Sequence, residues 1–339
     1  MGIEPLALVS YRSAMNSLSG ADPDLSSNMR AFLDSTVWKR ATCATLTGDA
    51  SARRYFRLRQ AGASAVLMDA SRNRESIPPF LQINQHLQQL GFSAPVILAR
   101  DEAQGFLLLE DFGDDTFTRL LDRSGDAEPL YALATDVLIA LHKHPQAIPA
   151  GLRAYHARKM LEDIELFLEW RTPAIPDTGR AEFRAVWEEV LPVAHRVPAS
   201  LLLRDYHVAN LMRLPGREGV RQAGLLDFQD AYQGPVTYDL MSLLEDARRE
   251  VPEALREKML ERYQAAFPDL DRSAFATSVA ILAAQRHTRV LAIFERLSRR
   301  DGRHDYRRLH SPRVEGMLQR ALRHPMLAGV KRWFDKYAK

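Results

Sequence analysis

Asp205, Asn210 and Asp227 are the residues whose types and spacing could do chemistry in this chain. Asp205 and Asn210 lie five apart in Leu203-Arg204-Asp205-Tyr206-His207-Val208-Ala209-Asn210. Asp227 follows seventeen positions later in Leu225-Leu226-Asp227-Phe228-Gln229. Two carboxylates and a carboxamide at the ends of apolar runs suit the transfer of a phosphoryl group from a nucleotide to a hydroxyl. Asp205 would face the acceptor hydroxyl and take its proton late in the transfer. Asn210 and Asp227 would hold Mg²⁺, a hard cation that prefers oxygen ligands, against the phosphates of the nucleotide. Phosphoryl transfer asks little covalent chemistry of a protein, so positioning and charge neutralisation carry the rate. The competing reading of the Asp-to-Asn stretch is an Asx turn that caps a helix.

The neighbours of this trio have roles of their own. His207 lies inside the first motif, as a hydrogen-bonding group of the loop or a contact to the substrate. Asp230, three after Asp227, either assists the metal and substrate or caps a turn. Asp239, in Gly234-Pro235-Val236-Thr237-Tyr238-Asp239-Leu240, has a structural role: holding the Asp205 loop by accepting backbone N–H groups. A phosphate grip is sought in Thr47-Gly48-Asp49-Ala50-Ser51-Ala52-Arg53-Arg54-Tyr55-Phe56-Arg57, where small residues join two strands. Backbone N–H groups near Gly48 and Ser51 could approach phosphate oxygens, with Arg54 and Arg57 adding positive charge. The stretch is neither G-x-G-x-x-G nor a G-x-x-x-x-G-K-[ST] loop. Leu109-Glu110-Asp111 ends a strand and is read as the connector offering backbone groups to an adenine edge.

The elements that must position these residues follow from pattern. Ala41–Thr47, the alternating Tyr55–Arg59, Ala65–Met68, Pro95–Leu98 and Phe106–Leu109 read as strands. Ile77–Leu90 reads as a helix stopped by Gly91, and Met29–Trp38 as an amphipathic helix. Beyond Gly113 the periodicity turns helical over Phe117–Leu121, Leu130–His144, Tyr155–Trp170 and Ala181–Ala194, and again from Thr237 onward. Leu201–Leu203 and Gly224–Leu226 are short strands, each feeding an Asp. The expected fold is α+β and bilobal, of the protein-kinase-like kind. Residues 1–29 form an N-terminal extension, 30–112 a small nucleotide-binding lobe with an antiparallel sheet and a helix, and 113–339 a larger, mainly helical lobe carrying catalysis and substrate binding.

Composition narrows the classes. The 339 residues are 46% hydrophobic and 26% charged, with a net charge of +3 and one cysteine, Cys43. That balance is ordinary for a globular protein. A lone cysteine excludes an intrachain disulfide and agrees with a reducing, cytoplasmic compartment. No apolar run reaches the roughly 18–20 residues of a membrane span. Arginines thicken between Arg286 and Arg323. They read either as the solvated face of helices or as a nucleic-acid arm.

Leu-Arg-Asp-Tyr-His-Val-Ala-Asn and Leu-Leu-Asp-Phe-Gln-Asp resemble the catalytic and metal motifs of the aminoglycoside phosphotransferase-like kinases. More closely, Gly48-Asp49-Ala50-Ser51, Arg54-Tyr55-Phe56-Arg57-Leu58, Leu67-Met68-Asp69-Ala70, Leu108 to Gly113, Asp227 to Ala231, Asp246-Ala247-Arg248-Arg249, Gln285-Arg286-His287 and Arg300-Asp301-Gly302 resemble the branch that phosphorylates amino sugars at the anomeric hydroxyl in bacterial cell-wall recycling. The resemblance spans about Phe32 to Tyr306. It implies an ATP- and Mg²⁺-dependent kinase of N-acetylmuramate, N-acetylglucosamine or both, giving the 1-phosphate. The chain is expected to act as a monomer, with amino sugar and ATP as partners and neither nucleic acid nor membrane. Kinases of other small hydroxyl compounds (aminoglycoside, choline or homoserine) and an inactive nucleotide-binding scaffold are the alternatives. Two departures stand out. Met68 sits where many relatives carry a strand-three Lys, so Arg54 or Arg57 would substitute in gripping the nucleotide. Leu203 sits where many carry His. An Arg could clamp the lactyl carboxylate of N-acetylmuramate, and Arg248, Arg249 and Arg286 are the candidates. Their other reading is structural ion pairing.

Overall fold

The computed structural model describes residues 25–46, 53–124 and 126–338. In chain order they form α1 (Ser27–Asp34), β1 (Thr42–Leu46), β2 (Arg54–Gln60), β3 (Ala63–Asp69), α2 (Ile77–Gln89), β4 (Ile97–Asp101) and β5 (Phe106–Glu110). Then follow α3 (Phe117–Ser124), α4 (Glu128–Lys143), α5 (Ala157–Trp170), α6 (Asp177–Val190), β6 (Ala199–Leu202), β7 (Leu211–Arg213), β8 (Ala223–Leu225) and β9 (Tyr232–Pro235). The chain ends in α7 (Thr237–Leu244), α8 (Glu253–Ala265), α9 (Arg272–Asp301), α10 (His304–Ala321) and α11 (Ala328–Tyr337). The architecture is the expected α+β one. Two compact units emerge: the described residues up to Arg74 with Val96–Asp111, and Glu75–Pro95 with Phe112 onward.

The first unit is an antiparallel sheet of order β1-β2-β3-β5-β4. Strand alternation sorts its side chains. Phe56, Leu58, Ala65, Leu67, Phe106 and Leu108 lie on one face and bury Met29, Phe32 and Leu33 of α1. The Ser26 hydroxyl starts α1 by accepting the Met29 N–H at 3.3 Å. This helix stops at Asp34, short of the Trp38 read from sequence, because the Ser35 and Thr36 hydroxyls bond back to the carbonyls of Phe32 and Leu33. β2 and β3 join through Ala61 and Gly62, at φ 50° and 82°, the paired positive values a two-residue hairpin needs.

In the second unit, α9 is the central element, packing on α5, α7 and α10. The Asp271 carboxylate caps its start by accepting from Ser273 and Ala274, and left-handed Gly302 (φ 67°) ends it. Ile281, Leu282 and Leu291 of this helix join Ile164, Phe167, Trp187 and Tyr238 in the core. Two ribbons, β6–β9 and β7–β8, carry the motif loops. The sequence reading missed β7 and β9, which are three and four residues long. α2, read from sequence within the 30–112 segment, makes its contacts inside this second unit. Phe80 stacks on Phe228 with centroids 5.2 Å apart, and Asn84 donates to the Pro95 carbonyl at 2.9 Å. No helix among the described residues is long and apolar enough to cross a membrane.

Candidate active site

β6 delivers the chain into the first motif, and Asp239 fixes its exit. This carboxylate, fully buried in the first turn of α7, accepts the N–H groups of Leu203 at 2.6 Å and Arg204 at 2.9 Å. Burial pushes its carboxyl up to about 7, against the pull of those two donors. The bonds hold Arg204 at φ 67°, and Asp227 sits at φ 59°. Such left-handed positions are rare for residues with a Cβ and cost on the order of 1–3 kcal/mol each. Both motif loops therefore carry backbone strain that their surroundings must hold in place.

The Arg204 side chain is one such restraint. Its Nη2 donates to Asp163 Oδ2 at 2.9 Å, and its guanidinium lies over the rings of Tyr155 (4.7 Å) and Tyr232 (5.0 Å). Asp163 also accepts from Tyr155 and Lys159, and Arg289 stands 3.8 Å away. Burial pushes the Asp163 carboxyl up. Arg289, Lys159 and Arg204 more than offset it, so it titrates below the ordinary carboxylate value. Sequence reasoning missed Asp163, whose local signal is only that of an acidic residue in a helix.

Asn210 closes the 3-10 turn Val208–Asn210. Its amide nitrogen donates to the Asp205 backbone carbonyl at 2.9 Å and lies 3.4 Å from both Asp227 Oδ2 and His207 Nε2. The Leu226 N–H donates to the Asn210 carbonyl at 3.0 Å, tying the two motifs together by backbone. Gln229 Nε2 donates to Asp227 Oδ1 at 2.9 Å and lies 3.5 Å from Asp230 Oδ2, while Asp230 itself is exposed. The structure thus gathers Asp205, His207, Asn210 and Asp227 at one end of the β7–β8 ribbon.

The Asn210 amide nitrogen is committed to the Asp205 carbonyl and also faces the Asp227 carboxylate, which keeps the two side chains adjacent. One carboxylate and one amide oxygen fit Mg²⁺, which takes few protein ligands and completes its shell with phosphates and water. No group of three or more His, Cys, Asp or Glu suited to a metal exists among the described residues.

The three candidate clamp arginines separate. Arg286 is half-buried, with Nη1 at 3.4 Å from both the Arg204 carbonyl and the Tyr238 hydroxyl. Burial opposes ionisation of Tyr238, but the guanidiniums of Arg286, Arg204 and Arg289 outweigh it and bring the phenol below its usual value. Arg249 is paired with Asp122. Arg248 is exposed, and its backbone N–H donates to Asp246 Oδ1 at 2.8 Å. Asp246, whose carboxylate accepts that N–H, is buried.

In the first unit, Gly48 and Ser51 lie outside the described residues. Arg54 and Arg57 are on opposite faces of the sheet. Arg57 pairs across the strand with Val66, on the face shared by Met68 and Leu109. Arg54 is on the α1 face, bonded to Asp69 Oδ2 at 2.6 Å and 5.7 Å from the Phe56 ring centroid. Burial pushes the Asp69 carboxyl up, but bonds from Ser71 and Arg54 carry it below the ordinary value. Arg57 grips Asp111 with both arms, Nε to Oδ2 at 2.8 Å and Nη2 to Oδ1 at 3.0 Å. The Glu110 N–H donates to the Val96 carbonyl, and its carboxylate accepts the Val96 N–H.

The C-terminal arginines form ion pairs. Arg171, Arg299 and Arg307 converge on the buried Glu295 at 3.5, 2.6 and 3.1 Å. Beside them is a concavity of about 440 Å³ lined by Arg171, His304, Arg307 and Arg308, among others. It contains none of the motif residues.

Residues 42–276 match the model of the phosphotransferase enzyme family. The chain is 34% identical to the N-acetylmuramate/N-acetylglucosamine kinase of Caulobacter vibrioides, over 91% of this chain and 95% of that one. It is 34% identical to the kinase of the same name from Pseudomonas putida, over 80% and 81%. Among solved structures, ADP-bound aminoglycoside phosphotransferase APH(2'')-Ib shares the fold, with a TM-score of 0.60 at 17% identity over 89% of this chain and 99% of that one. Two motif loops at the foot of a short ribbon, a family match spanning both, and near full-length relatives lead to one assignment: the chain belongs to the phosphotransferase enzyme family.

Proposed function

We propose that the protein transfers the γ-phosphoryl group of ATP to the anomeric hydroxyl of N-acetylmuramate, N-acetylglucosamine or both, giving the sugar 1-phosphate and ADP. The observation that carries this reading is the convergence of Asn210 and Asp227 beside Asp205, in a chain 34% identical to a kinase of that name over nearly its whole length. The product fits the recycling of cell-wall amino sugars.

The residues divide the work as follows. Asp205 accepts a hydrogen bond from the anomeric O–H and aims its oxygen at the γ-phosphorus. The new O–P bond forms as the bond from the γ-phosphorus to the β,γ-bridging oxygen breaks, and Asp205 takes the proton late. Asp227 and Asn210 would hold Mg²⁺, which would neutralise phosphate charge. Asp239 fixes the Asp205 loop through the Leu203 and Arg204 amides. Gln229 orients Asp227 by donating to Oδ1.

The test is ³¹P NMR of the product formed from ATP and each amino sugar. A phosphomonoester resonance coupled to the anomeric proton is expected. Phosphate on another oxygen, or turnover only with an aminoglycoside, choline or homoserine, would overturn the reading.

A further inference from the structure

We propose that Tyr131 and Asp246, with His207, line the amino-sugar pocket, and that the Tyr131 hydroxyl bonds the sugar directly. This rests on the sugar-kinase reading and adds residues that the motifs do not name.

Two buried polar atoms carry it. The Tyr131 hydroxyl and His207 Nδ1 are both shut away from water, and neither has a hydrogen-bond partner among the described residues. Buried polar groups are nearly always paired in native proteins, so an orphan points to a missing ligand or water. Other buried orphans exist in this chain. These two share an acidic neighbour, Asp246, whose charge acts on both. The same carboxylate acts on Arg286, which touches the Arg204 carbonyl.

Placement agrees. α4 runs beside the catalytic loop, because the Tyr206 hydroxyl donates to the Ala134 carbonyl at 2.7 Å. Tyr131 lies one turn earlier on the same helix face. His207 is two residues from Asp205. α4 and the loop of Asp205 thus pack against one another, and Asp246, after α7, acts on a residue of each. Burial and Asp246 together keep Tyr131 a neutral phenol, able to donate.

The chemistry selects the ligand class. Asp246 accepts from sugar hydroxyls, and Tyr131 donates to a hydroxyl or an acetamido carbonyl. The guanidiniums of Arg248 and Arg286 act on the same His207 as Asp246 does, so the carboxylate is not the only charge there. A polycationic aminoglycoside is disfavoured there, and so is a free amino sugar. A neutral N-acyl sugar, or one bearing a carboxylate, is favoured.

Steady-state kinetics on Tyr131→Phe, which removes one oxygen and keeps the ring, tests this. The KM for N-acetylglucosamine should rise roughly 5- to 10-fold, as loss of one neutral hydrogen bond implies. The KM for ATP should not move, kcat should change far less than KM, and the unfolding temperature should hold. Asp246→Asn should raise the sugar KM in the same direction. The wild type should favour N-acetylglucosamine over glucosamine. An unchanged sugar KM in Tyr131→Phe, or an equal rise for ATP, overturns the inference while leaving the kinase reading intact. A wild type that phosphorylates no amino sugar removes the reading itself.

Discussion

Arg204 and Asp163 form a buried ion pair that anchors the Asp205 loop to α5. The guanidinium meets Asp163 Oδ2 at 2.9 Å and stacks near Tyr155 and Tyr232. Its own backbone is left-handed and pinned by Asp239. The residue next to the proposed base is thus held from both ends, main chain and side chain, and Asp205 is tied further through its own carbonyl, which accepts from Asn210.

Asp163→Asn should therefore reduce both stability and turnover. Removing one partner of a buried pair leaves the other charge uncompensated, a loss of about 3–5 kcal/mol. We expect a lower urea midpoint and a fall in kcat larger than any change in the KM for ATP. A variant with normal kcat would show that the pair supports the fold alone.

Asp205→Ala should lower kcat by roughly 10²–10⁴-fold, the usual contribution of a positioned acid–base group. Its side chain is half-buried, so the melting temperature should stay close to that of the wild type. Asp227→Ala should also abolish turnover, and added Mg²⁺ should not restore it. Single-turnover assays with matched circular dichroism check both.

Strand register separates the two arginines offered in place of a strand-three Lys. Arg57 shares a face with Met68, and Arg54 does not. Arg57→Ala should raise the KM for ATP, whereas Arg54→Ala should act through stability by exposing Asp69. An ATP titration of the two variants decides, and the reverse pattern would refute the register argument.

Two histidines give stability a pH dependence. Burial holds His142 down to about 3 and lowers His195 as well, His156 adding to the effect there. A depressed histidine contributes stability that is whole above its unfolded value, about 6.5, and is lost as pH falls towards the folded value. Asp239, raised to about 7, works oppositely: its contribution is whole below about 4 and is lost as pH rises through 7. Urea midpoints for wild type and His142→Asn between pH 7 and 4 test the sum. The variant should decline less steeply on acidification; parallel curves would contradict the assignment.

Local features were legible in the sequence. The strand-to-Asp units could be read because an apolar run, a turn and a carboxylate are contiguous there. Asp239 could be read from its place at a helix start. Residues whose meaning depends on distant partners could not. Asp163 meets Arg204 across 41 residues of sequence, and Tyr131 gains significance only from the charge of Asp246. β9 hid because Gln233-Gly234-Pro235 reads as a turn, yet Gly234 is needed there: a Cβ would stand 2.6 Å from Leu202 Cδ1. α2 showed its amphipathic face but not which core that face would join. Phe228, next to Asp227, supplies the stacking partner.

The ribbon β7–β8 has one more consequence. Asn210 and Asp227 stand at its two feet, while its tip, around Gly216 and Gly219, meets open space. The interval between the motifs is therefore a measure of hairpin height, not of chemistry. Two residues could be added to each arm, or a foreign loop spliced into the tip, with both feet left where they are. A search keyed to a fixed gap between the motifs would pass over kinases whose ribbon is merely taller.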